Sequence, residues 1–583
     1  MTTRDAMYSE GFVSSCSNCK QLVSVLDEGV TKLPPETDGS GNIEYKTKLN
    51  NTSNSRTSHL ATQLQWRLAE GCGHAVYVVG VHDDGSVVGI TDEELQLTID
   101  ILRDMASQLG NAHISSIKKR ILKDKENRIV AEVGITQRNS IQRSELRVTV
   151  LGDHGAGKST VLGCITHEEP DNGCGKARLN LLRHRHEVES GRTSSIALGT
   201  VGFDSSGQVL SYANNNSAEQ IYRRAQHVVT FIDTCGYSKH LKTTARAITG
   251  HSPRVFCVMI AADSEAISET TREYMRIAAV LGMPLAVVVS KMDLATKTGF
   301  GSLMHDLLAA LTENVPNRSK CIVTSTNVGE SLAQDMMGLA VVPIFTTSAV
   351  RMVGFNELTA VLAKSRPLHL RADNADHAVS NGRPFEFHVE HMYSFDSVGT
   401  VVTGWVHAGM ASPSIERGKK LAIGPDSAGN FTGVDITSIH TLRIPTETAE
   451  AGSSAALAIH PHKPVSITKG MVIVDAEYLE DGSKRRVSDE FVAQVAVLDP
   501  DFSALHSVVV HIRCAYRMAR IVEVVDEQND QSATSSPNAF SCYSLLVRLK
   551  FDDGFRDYMY PGMPIVARDG RNLTFAGHIK TVV

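Results

Sequence analysis

Long apolar runs are scarce in this sequence. The longest, VFCVMIAA (255–262) and LAVVV (285–289), fall far short of the roughly 20 residues that a membrane-crossing helix requires. No membrane partner is therefore expected. The opening residues, MTTRDAMYSEGF, lack an apolar signal core, so no secretory signal is expected. Paired cysteines are scarce too. Ten cysteines are scattered over 583 residues, a usage that suits a reducing, cytoplasmic compartment better than a disulfide framework. Cys16 and Cys19 have the C-x-x-C spacing of half a zinc site, but no second pair with suitable spacing follows. A solvated tail is the expected reading. Excess positive charge is the third absence. A net charge of −6 argues against a strongly basic, non-specific nucleic-acid binder, and no DNA partner is expected. Contact with RNA would have to come from local patches. KKRILKDK (118–125) is expected to be a solvated helix face, whereas KARLNLLRHRH (176–186) stands beside the motifs described below.

What is present is ordinary globular composition, 42% hydrophobic and 21% charged, in a chain long enough for roughly three to five domains. Residues 1–60 mix Ser, Thr, Asn and Gly without sustained periodicity and read as a tail. Residues 61–145 read as a small α+β module. In it HAVYVVGVHDDGSVVGI (74–90) supplies two strands around an Asp-Gly turn, and TDEELQLTIDILRDMASQL supplies a helix capped by threonine. Over 146–370, five short apolar runs alternate with helical patterns: LRVTVLG, HVVTFIDT, VFCVMIAA, LAVVVSK and PIFTTSA. This predicts a mostly parallel sheet covered on both faces, with a site at the carboxyl ends of its strands. RADNADHAVSNGRP (371–384) reads as a linker. The short strands and Gly/Asp turns beyond it predict two all-β barrels, over 384–482 and 488–583, divided near EDGSKRRVS (480–488).

VTVLGDHGAGKST is the strongest motif. Gly152, Gly157, Lys158 and Ser159 satisfy G-x-x-x-x-G-K-[ST] directly after a strand pattern. Gly152, Asp153, His154, Gly155, Ala156, Gly157, Lys158, Ser159 and Thr160 thus form a candidate phosphate cradle. In it Lys158 neutralises the β- and γ-phosphates and the Ser159 hydroxyl ligates Mg²⁺. FIDTCGYSKH (231–240) follows about 75 residues on. Asp233 ends a strand pattern, placed to hold Mg²⁺ through water, and the Gly236 amide is placed to sense the γ-phosphate.

VVVSKMD then supplies Ser290, Lys291 and Asp293. The Asp293 carboxylate can accept from the N1–H and exocyclic amine of guanine together. Adenine has no such donor pair and would leave the carboxylate desolvated and unpaired, so GTP and GDP are expected over ATP. The Lys291 stem covers the base, and Ser348 and Ala349 close its pocket through backbone contacts. A switch loop must also offer a hydroxyl to Mg²⁺ only when the γ-phosphate is present. Thr193, Ser194 and Ser195 in HEVESGRTSSIALGTVGFD are the candidates.

With these motifs in order, the sequence resembles translational GTPases of the elongation factor Tu type, and within them the eukaryotic GTP-binding protein 1 and 2 family. RHRHEVESGRTSSI, HLKTTARAITGH, GTVVTGWVHAG, LAIGPDSAGNFTGVDITSIHTLRIP and FRDYMYPGMPIVARDGRNLTFAGHI carry the resemblance, which covers about residues 65–583. It implies a G domain followed by two β-barrels, and GTP-dependent work with the ribosome and aminoacyl-tRNA or other RNA. A link to mRNA-decay machinery is implied as well. It also implies that Ser195 takes the place of the Mg²⁺-binding threonine, alongside Ser159 and Asp233. Three departures stand out. Gly155 replaces an aspartate, Ser290 replaces Asn or Thr and is expected to loosen the base pocket, and Tyr237 replaces the water-positioning histidine.

The candidate catalytic residues are accordingly Lys158, Gly236 and Tyr237. The expected activity is GTP hydrolysis in translation, ribosome rescue or mRNA surveillance. The alternative is a GTP-dependent binding switch with very slow hydrolysis, because positioning supplies most of this catalysis and tyrosine is longer and differently aimed than histidine. A GTPase of sulfate activation shares the three-domain plan, but HEVESGRTSS and the N-terminal module argue against it.

Overall fold

The computed structural model of the chain describes residues 32–34, 41–49, 54–71, 74–109, 112–122, 128–137, 143–366, 384–395, 398–412, 420–446, 448–480, 486–499, 502, 505–526, 544–570 and 572–583. Cys16, Cys19 and the expected linker up to residue 383 lie outside them. Residues 1–142 form one compact unit and residues 143–583 another.

The first unit is an α+β module. Strands β1 (Ile43–Lys46), β2 (His74–Val79), β3 (Ala112–Leu122) and β4 (Arg128–Gln137) make a sheet of order β1-β2-β4-β3, with helices α1 (Asn54–Glu70) and α2 (Asp92–Gln108). The module begins earlier than residue 61. β1 pairs in parallel with β2, and Leu64 and Leu68 of α1 reach the core at helical spacing. β1 is four residues long, too short for its periodicity to stand out from a polar stretch. The cap on α2 is as expected. Glu94 N donates to Thr91 Oγ1 at 3.2 Å while Thr91 N donates to Glu94 Oε2 at 3.1 Å, a reciprocal capping box. The first basic patch is no helix face. Lys118 and Lys119 lie on β3, paired antiparallel with β4 at the sheet edge, where lysines discourage edge-to-edge pairing.

The second unit starts with a doubly wound α/β layer. Its strands are β5 (Ser144–Leu151), β6 (Ala197–Phe203), β7 (Val209–Leu210), β8 (His227–Asp233), β9 (Val255–Ala261), β10 (Leu285–Ser290), β11 (Ser319–Ile322) and β12 (Val341–Thr346). The sheet order is β11-β12-β10-β9-β5-β8-β6-β7. The five expected strands β5, β8, β9, β10 and β12 are parallel, and β6 and β7 add an antiparallel edge. Every residue of β5, β8, β9 and β10 is buried, which explains their largely apolar patterns. Helices α3 (Lys158–His167), α4 (Arg185–Ser190), α5 (Ala218–Arg224), α6 (Leu241–Thr249), α7 (Glu269–Val280), α8 (Lys297–Asn314), α9 (Gly329–Met337) and α10 (Phe355–Lys364) connect the strands.

Two closed six-stranded barrels follow. In the first, Leu421–Gly424 pairs with both Val472–Asp475 and Thr432–Thr441, closing a ring through Glu386–Phe395, Gly399–Ala408 and Ser454–Pro461. The second closes where Glu490–Val497 pairs with both Ser544–Phe551 and Leu573–Val582.

Polar residues inside β5 join the α/β layer to the first barrel. Arg147 donates to Glu390 and to the His251 carbonyl oxygen at 2.8 Å, and its guanidinium stacks 4.3 Å from the Trp405 ring centroid. His251 Nδ1 lies 3.1 Å from the second Glu390 oxygen. Burial acts to raise the Glu390 pKa, but Arg147 and His251 hold it well below the usual carboxylate range. Glu145 accepts from Ser454 N at 2.9 Å and Ser454 Oγ at 2.6 Å. The second barrel meets the α/β layer at α6, where Thr249 Oγ1 donates to the Arg513 carbonyl at 2.9 Å and Cys514 Sγ to Gly250 O at 3.0 Å. Leu498, Val566, Leu573 and Ala576 of that barrel share a core with α6, α7 and α8. Removing one member of a buried ion pair strands the other, so Glu390→Ala is expected to cost about 3–5 kcal/mol. Denaturant unfolding followed by tryptophan fluorescence reads this, and a loss below about 1 kcal/mol would refute the buried pair.

Candidate functional site

The carboxyl ends of β5, β8, β9 and β10 converge on one site. β5 stops at Leu151, and residues 152–157 turn into α3, whose N-cap Gly157 has φ 81° and makes no side-chain cap hydrogen bond. The first amides of α3 are thereby left for an anion. Lys158 folds back over the loop, donating to the carbonyls of Gly152 at 2.9 Å and Asp153 at 2.8 Å. Burial pushes its pKa down, against the pull of Asp233. Asp153 accepts from Thr271 at 3.3 Å, His154 is exposed, and Thr160 sits in the first turn of α3. Gly155, where the family resemblance calls for aspartate, has φ 81° with open space around its Cβ position. The backbone conformation, not crowding, favours glycine there.

Ser159 and Asp233 come together as expected. Ser159 Oγ donates to Asp233 Oδ2 at 2.6 Å. Asp233 is completely buried, and its other oxygen has no hydrogen-bond partner. Burial raises its pKa to about 6, with Ser159 and Lys158 pulling the other way. A buried carboxylate with a free oxygen beside a serine hydroxyl suits a hard, oxygen-liganded cation. These two residues fit Mg²⁺.

Ser195 does not join them. Its N and Oγ donate to Glu187 Oε1 at 2.9 and 3.0 Å, and those of Ser194 do so at 2.7 and 2.8 Å. The hydroxyl at the site belongs to Thr193, whose Oγ1 lies 3.0 Å from Ser159 Oγ. Sequence reasoning missed Glu187. This almost wholly buried residue also accepts from the amides of Arg183 and His184 with its other oxygen, at 3.1 and 3.2 Å. Burial acts to raise its pKa, but bonds from Ser194, Arg183 and Ser195 bring it to about 2. Its one signal in the sequence is capping-box spacing, three residues past the N-cap His184 of α4. The second basic patch, 176–186, enters this same loop through a 3₁₀ turn at Ala177–Asn180.

Gly236 lies directly on the phosphate loop. A Cβ there would stand 2.3 Å from Lys158 Nζ and 2.6 Å from the Asp153 carbonyl carbon, so no larger residue fits. Cys235 is buried and donates to Thr193 O at 2.6 Å, and burial pushes its thiol pKa up. Tyr237 projects among His154, His240, Arg192 and Lys239.

At the base end, Ser348 Oγ donates to Asp293 Oδ1 at 2.5 Å. Lys291 has φ 57°, and its ammonium lies 3.3 Å from Asp263, a partner that sequence reasoning did not name. The Ala349 carbonyl accepts from Asp171 N at 3.0 Å. Ser290, the serine expected to loosen the pocket, donates to Ala156 O at 2.7 Å and Ile260 O at 3.3 Å. It thus ties β10 to the phosphate loop.

Because one Glu187 oxygen gathers four donors from Ser194 and Ser195, Glu187→Ala is expected to free the switch loop. Each charge-assisted bond is worth about 1.5–3 kcal/mol, so amide exchange at 194–195 is expected to quicken by about 10-fold or more. Hydrogen–deuterium exchange checks it, and unchanged protection would show that the loop is held by something else.

Residues 143–367 match the family described as "Elongation factor Tu GTP binding domain". GTP-binding protein 2 of Homo sapiens is 37% identical over 449 residues, 76% of this chain and 73% of that protein. GTP-binding protein 1 of Xenopus laevis is 32% identical over 479 residues, 80% of this chain and 69% of that protein. Among solved structures, the S. cerevisiae Ski7 GTPase-like domain bound to GTP superposes with a TM-score of 0.53 at 14% identity, covering 76% of this chain and 98% of that one. That likeness is one of fold. The identity and the shared length with the two GTP-binding proteins go further: the chain belongs to the GTP-binding protein 1 and 2 family of translational GTPases.

Proposed function

We propose that this chain hydrolyses GTP to GDP and phosphate as a cytoplasmic switch in translation, ribosome rescue or mRNA surveillance. It would work with the ribosome and with aminoacyl-tRNA or another RNA, and mRNA-decay machinery is a further partner on this reading. The observation that carries the proposal is the Ser159–Asp233 pair at 2.6 Å, with a free, buried carboxylate oxygen, set beneath the loop of Lys158. On this reading Ser159 and Asp233 hold Mg²⁺, which when bound offsets charge on the β- and γ-phosphates. Thr193 is nearer that pair than Ser195 is, and supplies the switch hydroxyl in the arrangement described. Lys158 and the α3 amides bind the phosphates. Gly236, laid against Lys158, reports on the γ-phosphate. Asp293, oriented by Ser348, reads the guanine edge.

A second reading has one observation in its favour. Tyr237 carries a phenol where the resemblance calls for imidazole, so a GTP-dependent binding switch with very slow hydrolysis stands beside the first. Single-turnover hydrolysis with and without ribosomes and charged tRNA separates the two. The first expects ribosome-stimulated turnover, and no stimulation by either would favour the second. Both readings require guanine selectivity. Asp293→Ala removes a charge-assisted contact of about 1.5–3 kcal/mol, so GTP affinity is expected to fall about 10- to 100-fold. A competition assay in which ATP displaces labelled GDP as well as GTP does would sink the base assignment.

A further inference from the structure

Closure of the second switch onto the phosphate loop brings two side chains together that the motifs treat separately. Gly236 approaches Lys158 and the Asp153 backbone too closely for any side chain. Asp153 and Gly236 are therefore in contact, and the residue after each, His154 and Tyr237, face one another across that contact. Their ring centroids are 6.2 Å apart at 66°, an edge-on arrangement. Arg192 of the first switch stands 5.6 Å over the Tyr237 ring, and Lys239 stands at the same distance. The Tyr237 ring is thus the hub on which the phosphate loop and both switches meet.

We propose that His154, braced by the Tyr237 ring, orders the attacking water, so that the imidazole absent from the second switch is supplied by the phosphate loop. The inference rests on the GTPase reading above. It gives Tyr237 a positioning part and His154 the contact with the reacting water. The imidazole is in the form the task needs. Partial burial first, then the cations Arg192, Lys158 and Arg178, hold its pKa below the usual value of 6.5. At neutral pH a ring nitrogen is free to accept a hydrogen bond from water. In the reaction the water oxygen bonds to the γ-phosphorus and the bond to the β,γ-bridging oxygen breaks. GDP keeps that electron pair, and the water's protons leave with inorganic phosphate. His154 aims the water and returns unchanged. Near the site, the rival imidazole is His240, whose ring is 6.3 Å from Tyr237. Its amide donates to Tyr237 O at 2.9 Å where the chain enters α6, and a direct comparison of the two imidazoles is part of the test.

The test uses the full chain with ribosomes, in single-turnover mode with protein in saturating excess over GTP, and measures the Kd of a fluorescent GTP analogue beside it. His154→Ala is expected to slow hydrolysis about 10²-fold with little change in Kd, and to cost more than Tyr237→Phe or His240→Ala. An unslowed His154→Ala overturns the inference. So does a larger loss from either of the other two variants, or a His154→Ala protein that no longer binds the analogue, which marks a binding role. Turnover by the parent protein with an unslowed His154→Ala leaves the GTPase reading standing and removes only His154. A parent protein that never turns over removes both.

Discussion

The buried pair Arg147–Glu390 is the constraint on which the second unit is built. β5 is buried at every position, yet it carries Glu145 and Arg147, two ionisable groups that water cannot reach. A guanidinium in that position is tolerable only with a carboxylate and further acceptors around it. The first barrel supplies the carboxylate as Glu390 and an aromatic face as Trp405, and the turn after α6 adds the His251 carbonyl and imidazole. The α/β layer cannot part from the barrel without exposing an unpaired charge on one side or the other. The phosphate loop begins a few residues further along the same strand. One element therefore sets both where the barrel sits and where the phosphates are to be held.

A similar economy governs the second switch. It leads into α6, which packs on the second barrel through Thr249 and Gly250 and lies over a core shared with Leu498 and Val566. The Tyr237 segment is tied directly to α6, because His240 N is bonded to Tyr237 O and α6 starts one residue later. The path from the Gly236 turn to the second barrel is a single packed helix, a physical connection of the kind that coupling between two sites requires.

Much of this was legible beforehand, and the reasons differ by element. The five parallel strands could be read because burial on both faces leaves them largely apolar, even with Glu145 and Arg147 in β5, and the nucleotide motifs follow because each sits at such a strand's end. The barrels were visible as turns and short strands. β1 was not, since four residues inside a polar segment show no period. The KKRIL stretch read as a helix face because lysines are common on helices, whereas its state is decided by pairing with β4, a tertiary fact. Glu187 was invisible for another reason. Capping-box spacing marks it at most as a helix start, and its importance arises from six donors that only the folded loop brings to it. The choice between Thr193 and Ser195 turns on that same carboxylate, so residue type and spacing could not make it.

The site's polar groups also satisfy one another. Lys158 is bonded to two loop carbonyls, Ser159 to Asp233 and Thr193, and Cys235 to the Thr193 carbonyl. On the proposed reading, phosphate and Mg²⁺ would compete with these bonds, so each ligand contact would be an exchange with a modest net gain. The benefit is order. The P-loop, the Thr193 loop and the Gly236 turn are already in contact, so little conformational entropy remains to be lost when they close. Outside that network stand His154, exposed, and the free oxygen of Asp233, buried. One is suited to water and the other to a cation. Two departures from the family pattern, Gly155 and Tyr237, are neighbours of His154, one in sequence and one in space. A glycine with positive φ leaves room beside the imidazole, and a ring wider than histidine's gives it a wall.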